Sequence, residues 1–390
     1  MKIPVSRGQN SALRTALVLA LAGCLLFSLV SITLMESFLA LSFLFWIILI
    51  IRGKEKFNVP GFFWPLLAYA GLSLVACAFS VNSATSFKDA RELLLYLIIP
   101  ITMAAASVPR ARFLTTTSLL LSGFLSILYS LGYSILKAEP GERIQGFMGH
   151  YMTQAGLLLL FLCAALSFFL FSREWTRWFW GAAIPLAGFC LALTLTRSAW
   201  VGFAVAAAFI LFLYKPKALI LIPVAAGILF LLSPQQMKRR ALSIFSLSNY
   251  TNQLRIQYLK AGIKIIGEKP LLGTGPDTVD MVFQDPKYGL SGEARTNVHL
   301  HNNIVQIAAE RGIPTLLAWL AFVVSTFISL LALLKKREPV VFPYAAAAGA
   351  SLLALFTAGL FEYNFADSEI AVLFLYLIAL PFAAEKVVQP

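Results

Sequence analysis

The chain reads as an all-α polytopic membrane protein, and three observations predict that class. Hydrophobic residues make up 59% of the 390 residues and charged residues only 13%, against ~25% charged in a typical soluble domain. The mean hydropathy is +0.81. Apolar runs close to the ~20 residues that cross a bilayer recur along most of the chain, and Lys and Arg collect in alternate junctions between them. The formal charge of +13 would suggest nucleic acid in a soluble protein. In a membrane protein it is first divided between two faces, so no nucleic-acid partner is expected.

Taken in order, the chain opens with Lys2, Arg7 and Arg14 ahead of an apolar run. Leu21-Ala22-Gly23-Cys24 is similar to a lipoprotein cleavage box. Leu25-Leu26-Phe27 continues the apolar run instead of turning polar, which predicts an uncleaved first span. About twelve spans are predicted in all. They fall near 12–31, 34–51, 61–80, 90–107, 113–136, 152–172, 178–196, 199–214, 217–232, 314–334, 341–361 and 369–384. With both termini cytoplasmic, the inner junctions are Arg52/Lys54/Lys56, Arg110/Arg112, Arg173/Arg177, Lys215/Lys217 and Lys335/Lys336/Arg337. The outer junctions at 81–88, 137–150 and around Arg197 carry few cations, as the positive-inside rule requires. Cys24, Cys77, Cys163 and Cys190 all lie within apolar runs and read as core residues, forming neither disulfides nor a metal site.

This divides the chain into nine helices over 1–232, one long outer loop over 233–313 with short helices of its own, and three helices over 314–390. Lys238-Arg239-Arg240, before an apolar stretch, predicts a helix lying on anionic headgroups. Residues 252–267 have helical spacing, with Leu254, Tyr258, Ala261 and Ile265 on one face. Pro270-Leu271-Leu272-Gly273-Thr274-Gly275-Pro276-Asp277 is a turn cluster. It lacks the Gly-Lys-Ser/Thr ending of a nucleotide loop, and no cofactor is implied.

The most informative stretch runs from Asn297 to Thr315 and holds His299 and His301. Asn302 is suited to N-cap a helix that Gly312 ends, and Pro314 then starts the next one. This puts His301 at a helix N-terminus, where the dipole disfavours imidazolium. A neutral histidine there can serve as a general base; the plainer alternative is a capping or satisfied polar residue. Charges at outer span ends are costly and therefore informative. They are Arg197, Arg143, the group Lys88/Asp89/Arg91/Glu92, and Glu362, Asp367 and Glu369. Arginines pair with phosphate through two parallel hydrogen bonds, so an outward-facing set of them suits a lipid diphosphate. Interhelical ion pairing, of Arg197 with Glu362 or Asp367 for example, is the competing role. No metal-ligand cluster is visible, since His299 and His301 two apart would not share a helix face.

His301-Asn302, nine residues, Gly312, two residues, Thr315 matches the motif of the O-antigen ligase and polymerase superfamily. Arg255 followed by Tyr258 and Ala261, Pro270-x-x-Gly273-x-Gly275, and Thr196-Arg197-Ser198-Ala199 resemble that superfamily too, over roughly residues 140–365. The resemblance implies a GT-C-like, inverting, metal-independent glycosyltransferase in a Gram-negative inner membrane, with its active site facing the periplasm. The donor would be a glycan on undecaprenyl diphosphate, and a ligase would transfer it to a sugar hydroxyl of lipid A-core. By position, His301 would activate that hydroxyl. Arg197 and Arg255 would hold the diphosphate, and Arg143 would assist them. An O-antigen polymerase, with a lipid-linked repeat unit as acceptor, is the nearest alternative. A lipid-linked glycan transporter is the alternative of a different class, but two similar halves with broken midplane helices are not evident.

Overall fold

A computed structural model describes residues 7–136, 142–290 and 292–386. Lys2 and residues 137–141 of the predicted outer junction lie outside the described residues. Among these described residues, sixteen α-helices follow in order: α1 (Arg7–Phe27), α2 (Ile32–Ile51), α3 (Phe63–Ala78), α4 (Ser83–Asp89), α5 (Ile98–Ala105), α6 (Pro109–Leu136), α7 (Tyr151–Phe171), α8 (Arg177–Leu193), α9 (Arg197–Tyr214), α10 (Leu221–Leu232), α11 (Gln235–Leu242), α12 (Tyr250–Glu268), α13 (Val279–Val282), α14 (Asn303–Lys336), α15 (Phe342–Gly359) and α16 (Ser368–Glu385). No strand occurs among the described residues.

Seven of these helices are long and apolar enough to cross a membrane: α2, α6, α7, α9, α14, α15 and α16. Four shorter apolar helices, Ala12–Phe27, Phe63–Ala78, Arg177–Leu193 and Pro216–Leu232, coincide with four more of the predicted spans. The predicted span 90–107 is different. It is a 3₁₀ segment, Ala90–Leu97, followed by the two-turn α5. Pro100 lacks an N–H and its ring crowds the carbonyl four residues back, so a continuous α-helix is not favoured there.

Helices α7 and α16 are apolar around most of their circumference and buried along most of their length, as a central helix must be. The Ala-rich α15 packs against α7, α9, α14 and α16. Its small side chains allow the close backbone approach by which membrane helices associate without a hydrophobic driving force. Helix α10 buries none of its residues and lies at the periphery. The four cysteines are buried in the core, as expected of residues within apolar runs, and each is a free thiol.

The feature that positions the site is a break in α14. Gly312 has φ 82° and ψ 166°, so α14 is two helices meeting at a kink. The next residue but one is Pro314, which has no N–H for the Glu310 carbonyl. The Ile313 N–H leaves the ladder and donates to Pro270 O at 2.8 Å. The carbonyls of Ala309 and Glu310 would then be orphaned in an apolar setting. The Gly-rich turn satisfies them: Thr274 N donates to Ala309 O at 2.9 Å and Gly275 N to Glu310 O at 2.8 Å. This turn therefore replaces a missing turn of helix. The motif glycine and the turn cluster are two halves of one structure.

A buried ion network locks the joint. The Arg311 guanidinium donates to Glu310 Oε2 at 2.8 Å, to Asp89 Oδ2 at 2.8 Å and to Tyr363 OH at 3.0 Å. It thereby ties α14 to the end of α4 and to the connection between α15 and α16. Asp89, one of the charges expected at an outer span end, is one arm of this network and takes the ion-pairing role.

Candidate active site

The site forms where the α6–α7, α8–α9 and α15–α16 connections meet the loop between α10 and α14. Helix α12 organises it. Leu254, Tyr258, Ala261 and Ile265 do pack inward from one face, with Tyr258, Ala261 and Ile265 fully buried. A neighbouring row, Asn252, Arg255 and Tyr258, advances three residues at a time, which keeps it on one side of the helix. Asn252 Oδ1 accepts from Arg197 at 2.8 Å. The Tyr258 ring lies 5.5 Å from the His301 ring. Arg255 is therefore carried between Arg197 and His301, about one turn from each end of the row.

Asn302 N-caps α14, its side chain accepting from Val305 N at 3.0 Å. His301 lies one residue earlier, with φ 51°, a left-handed conformation uncommon outside glycine. Its orientation comes from side chains more than from the helix end. Nδ1 lies 2.8 Å from Glu362 Oε1, and Nε2 lies 2.7 Å from Asn297 Nδ2. Asn297 Oδ1 accepts from Val298 N at 2.9 Å, which leaves its amide nitrogen to donate. A carboxylate can only accept, so both bonds are satisfied when Nδ1 carries the proton and Nε2 presents its lone pair. The chain brings Glu362 to His301 with two adjacent amides. Asn302 Nδ2 donates to Leu360 O at 2.8 Å, and Asn303 and Asn364 bond reciprocally, at 2.9 Å side chain to side chain and at 3.1 Å from Asn364 N to Asn303 Oδ1. Asn302 is thus a cap and a clamp. Burial alone would raise the Glu362 carboxyl, but His301, then Arg255 and His299, outweigh it and hold the carboxyl below the ordinary value. Its second oxygen, Oε2, is buried without a hydrogen-bond partner among the described residues.

Four arginines converge beside this pair. Arg197, the first residue of α9, donates to Ser243 O (2.7 Å), Ser243 Oγ (2.9 Å), Thr251 Oγ1 (3.3 Å) and Asn252 Oδ1 (2.8 Å). The alternative pairing with Glu362 or Asp367 is not formed; neutral oxygens of the long loop take that place. Arg143 lies over the Tyr151 ring, 3.4 Å from its centroid, and donates to Thr194 O (2.8 Å), Leu195 O (3.2 Å) and Thr196 Oγ1 (3.2 Å). Arg240 also donates to Leu195 O, through Nε at 3.2 Å. This corrects the expectation that Lys238-Arg239-Arg240 all face headgroups: Arg239 is exposed, but Arg240 turns inward to the α8–α9 junction. Arg255 has no hydrogen bond or ion pair with any described residue. Burial lowers the guanidinium pKa of Arg143, to about 10, and that of Arg240 and Arg255; the Arg240 charge lowers Arg143 and Arg255 further, while Tyr151 and Glu362 act on those two in the opposite direction. Among the described residues the site is an under-compensated cationic cluster with the Glu362 carboxylate at its edge.

His299 packs edge-on against Tyr363 at 5.3 Å, and burial lowers its pKa. Among the described residues no three His, Cys, Asp or Glu side chains are grouped to hold a metal ion. Of the residues expected from sequence, the fold brings together His301, Arg197, Arg255 and Arg143. Asn297, Arg240 and the orienting role of Glu362 were not evident. The only signal for Glu362 was the cost of a carboxylate at a span end.

Asp367, on the same connection as Glu362, accepts from Thr153 Oγ1 at 3.2 Å, and His150 Nδ1 lies 3.3 Å from that hydroxyl. Burial, then the charges of Glu369 and Glu362, push the Asp367 carboxyl up to about 7. The folded state therefore binds this proton more tightly than the unfolded chain, whose value is ~3.9. That stabilisation is complete below the unfolded value and is lost as pH rises through about 7. Asp367→Asn is accordingly expected to raise the thermal midpoint in detergent more at pH 8 than at pH 5. An equal shift at both pH values would contradict this account of Asp367.

Residues 182–320 match the family model described as O-antigen ligase. The match supports the O-antigen ligase and polymerase superfamily suggested by the histidine motif, and with it a general transferase role in a multi-pass membrane protein. It spans Arg197, Arg240, Arg255 and His301, whereas Arg143 precedes it and Glu362 follows it. No curated protein matches the chain.

Proposed function

On the strength of that family match, we propose that the protein is an O-antigen ligase of a Gram-negative inner membrane, acting at its periplasmic face. It transfers a glycan from undecaprenyl diphosphate to a sugar hydroxyl of lipid A-core, with inversion and without a metal ion. The observation that carries the reading is the juxtaposition of an oriented imidazole and an arginine with no hydrogen bond or ion pair to any described residue. His301 offers Nε2, backed by Glu362 at 2.8 Å, and Arg255 lies beside it.

The acceptor hydroxyl takes the place of the Asn297 amide at Nε2. As its oxygen attacks the anomeric carbon from the face opposite the diphosphate, its proton passes to Nε2. The imidazolium that results is stabilised by Glu362 through Nδ1–H. The anomeric C–O bond breaks with its electron pair going to the diphosphate, whose growing charge is met by Arg255. Arg197 and Arg143 add positive charge from positions fixed by their hydrogen bonds to the chain.

The test is reconstitution of purified protein with undecaprenyl-diphosphate-linked glycan and lipid A-core, with EDTA present. Transfer read as a mobility shift of the acceptor lipid supports the ligase. Chains that lengthen on the carrier, with the core unmodified, make the protein an O-antigen polymerase. Movement of intact donor across the bilayer with no new glycosidic bond makes it a transporter.

A further inference from the structure

Two guanidinium groups converge on one carbonyl. Leu195 O accepts from Arg143 and from Arg240, each at 3.2 Å, and Leu195 itself has φ 52°. This turns the carbonyls of the short α8–α9 junction toward both cations. Like charges this close, partly removed from water, are costly without a counter-ion. No carboxylate is hydrogen-bonded to Arg143, Arg197, Arg240 or Arg255 among the described residues.

The four arginines are not equivalent. Arg197 has both terminal nitrogens engaged with neutral oxygens. Arg143 has Nε and one terminal nitrogen engaged and its face covered by Tyr151. Arg240 is held only through Nε, which leaves its two terminal nitrogens without a described partner. Arg255 has none of its nitrogens engaged by a described residue. A guanidinium held by Nε alone is oriented, and its open end retains the paired donors that match a phosphate.

The geometry points to Arg240 as a second direct ligand of the donor diphosphate, acting with Arg255, while Arg197 and Arg143 are positioning residues that build the cradle. This rests on the donor assignment above and divides the work within it. Arg239, one position along α11 and exposed, belongs to the headgroup layer instead. Both a lipid diphosphate and an anionic headgroup present phosphate oxygens, so the two sources must be separated by experiment.

The measurement is direct binding of undecaprenyl diphosphate, followed by native mass spectrometry, to full-length protein in phosphatidylcholine nanodiscs. Wild type, Arg239→Gln, Arg240→Gln and Arg240→Lys are compared, with phosphatidylglycerol titrated in a parallel arm. Arg240→Gln is expected to weaken diphosphate binding about 10–100-fold and leave phosphatidylglycerol binding unchanged. Arg240→Lys, which keeps the charge and loses the fork, is expected to fall between Gln and wild type, and Arg239→Gln to match wild type. Thermal midpoints near wild type for the Lys variant separate a binding loss from misfolding. Equal diphosphate binding by wild type and both Arg240 variants overturns the proposal. So does a parallel loss of phosphatidylglycerol binding, which returns Arg240 to the headgroup layer. Failure of wild type itself to bind undecaprenyl diphosphate overturns the donor assignment.

Discussion

His301→Ala is expected to lower the rate of glycan transfer by ~10²–10⁴-fold, the usual range for a positioned general base, with little change in donor binding. In the proposed mechanism the donor contacts lie on the arginines, and His301 touches Glu362, Asn297 and Tyr258 instead. Glu362→Gln tests the same chemistry one step removed. The amide can still accept from Nδ1–H, so the ring remains in place, but the charge that stabilises the imidazolium is gone. It should lower kcat less than His301→Ala does and leave KM for the donor near wild type. A Glu362→Gln variant that raises the donor KM and spares kcat would show that this carboxylate shapes the donor pocket and does not serve His301. Full transfer by His301→Ala would remove the histidine from the mechanism and leave it as a residue preceding the Asn302 cap.

The second large effect is on folding. Gly312→Ala is expected to destabilise the protein by ~2–6 kcal/mol. The φ 82°, ψ 166° conformation belongs to a region essentially restricted to glycine. A Cβ at this position would also collide with the Leu271 carbonyl, pushing away the turn that satisfies Ala309 O and Glu310 O. Gly132→Ala in α6 is the control, because a Cβ there meets nothing within 4 Å. It should leave expression and the thermal midpoint at or slightly above wild type. Midpoints for Gly312→Ala and Gly132→Ala that agree within error would show the kink to be dispensable.

These two cases divide along the line between local and distant information. The Asn302 cap, the break at Gly312 and the inward face of α12 depend on rules that operate within a few residues: capping, positive φ and the 3.6-residue period. Each was legible, and each recurs in the fold. The segment predicted at 90–107 is not one regular α-helix for a reason also local, Pro100, which hydropathy averaging hides.

Other features required the folded molecule. Sequence could name Glu362 as costly where it stands. It could not say that the carboxylate meets an imidazole 61 residues away, because that depends on the amide clamp of Asn302 and Asn303 on the α15–α16 connection. Nor could it separate Arg239 from Arg240, adjacent residues of one type, since only the packing of α11 against the α8–α9 junction sends one outward and the other inward. The Gly-rich turn reads as a turn from its residues alone, but its task of replacing a helical rung appears only once it lies against the Gly312 break. Sequence by itself determined the membrane class, the apolar helices and the place of His301 at a helix start, because periodicity, capping and backbone freedom act over one or two helical turns. Tertiary structure alone decided which charges meet, because their partners lie tens of residues apart and are joined only by packing.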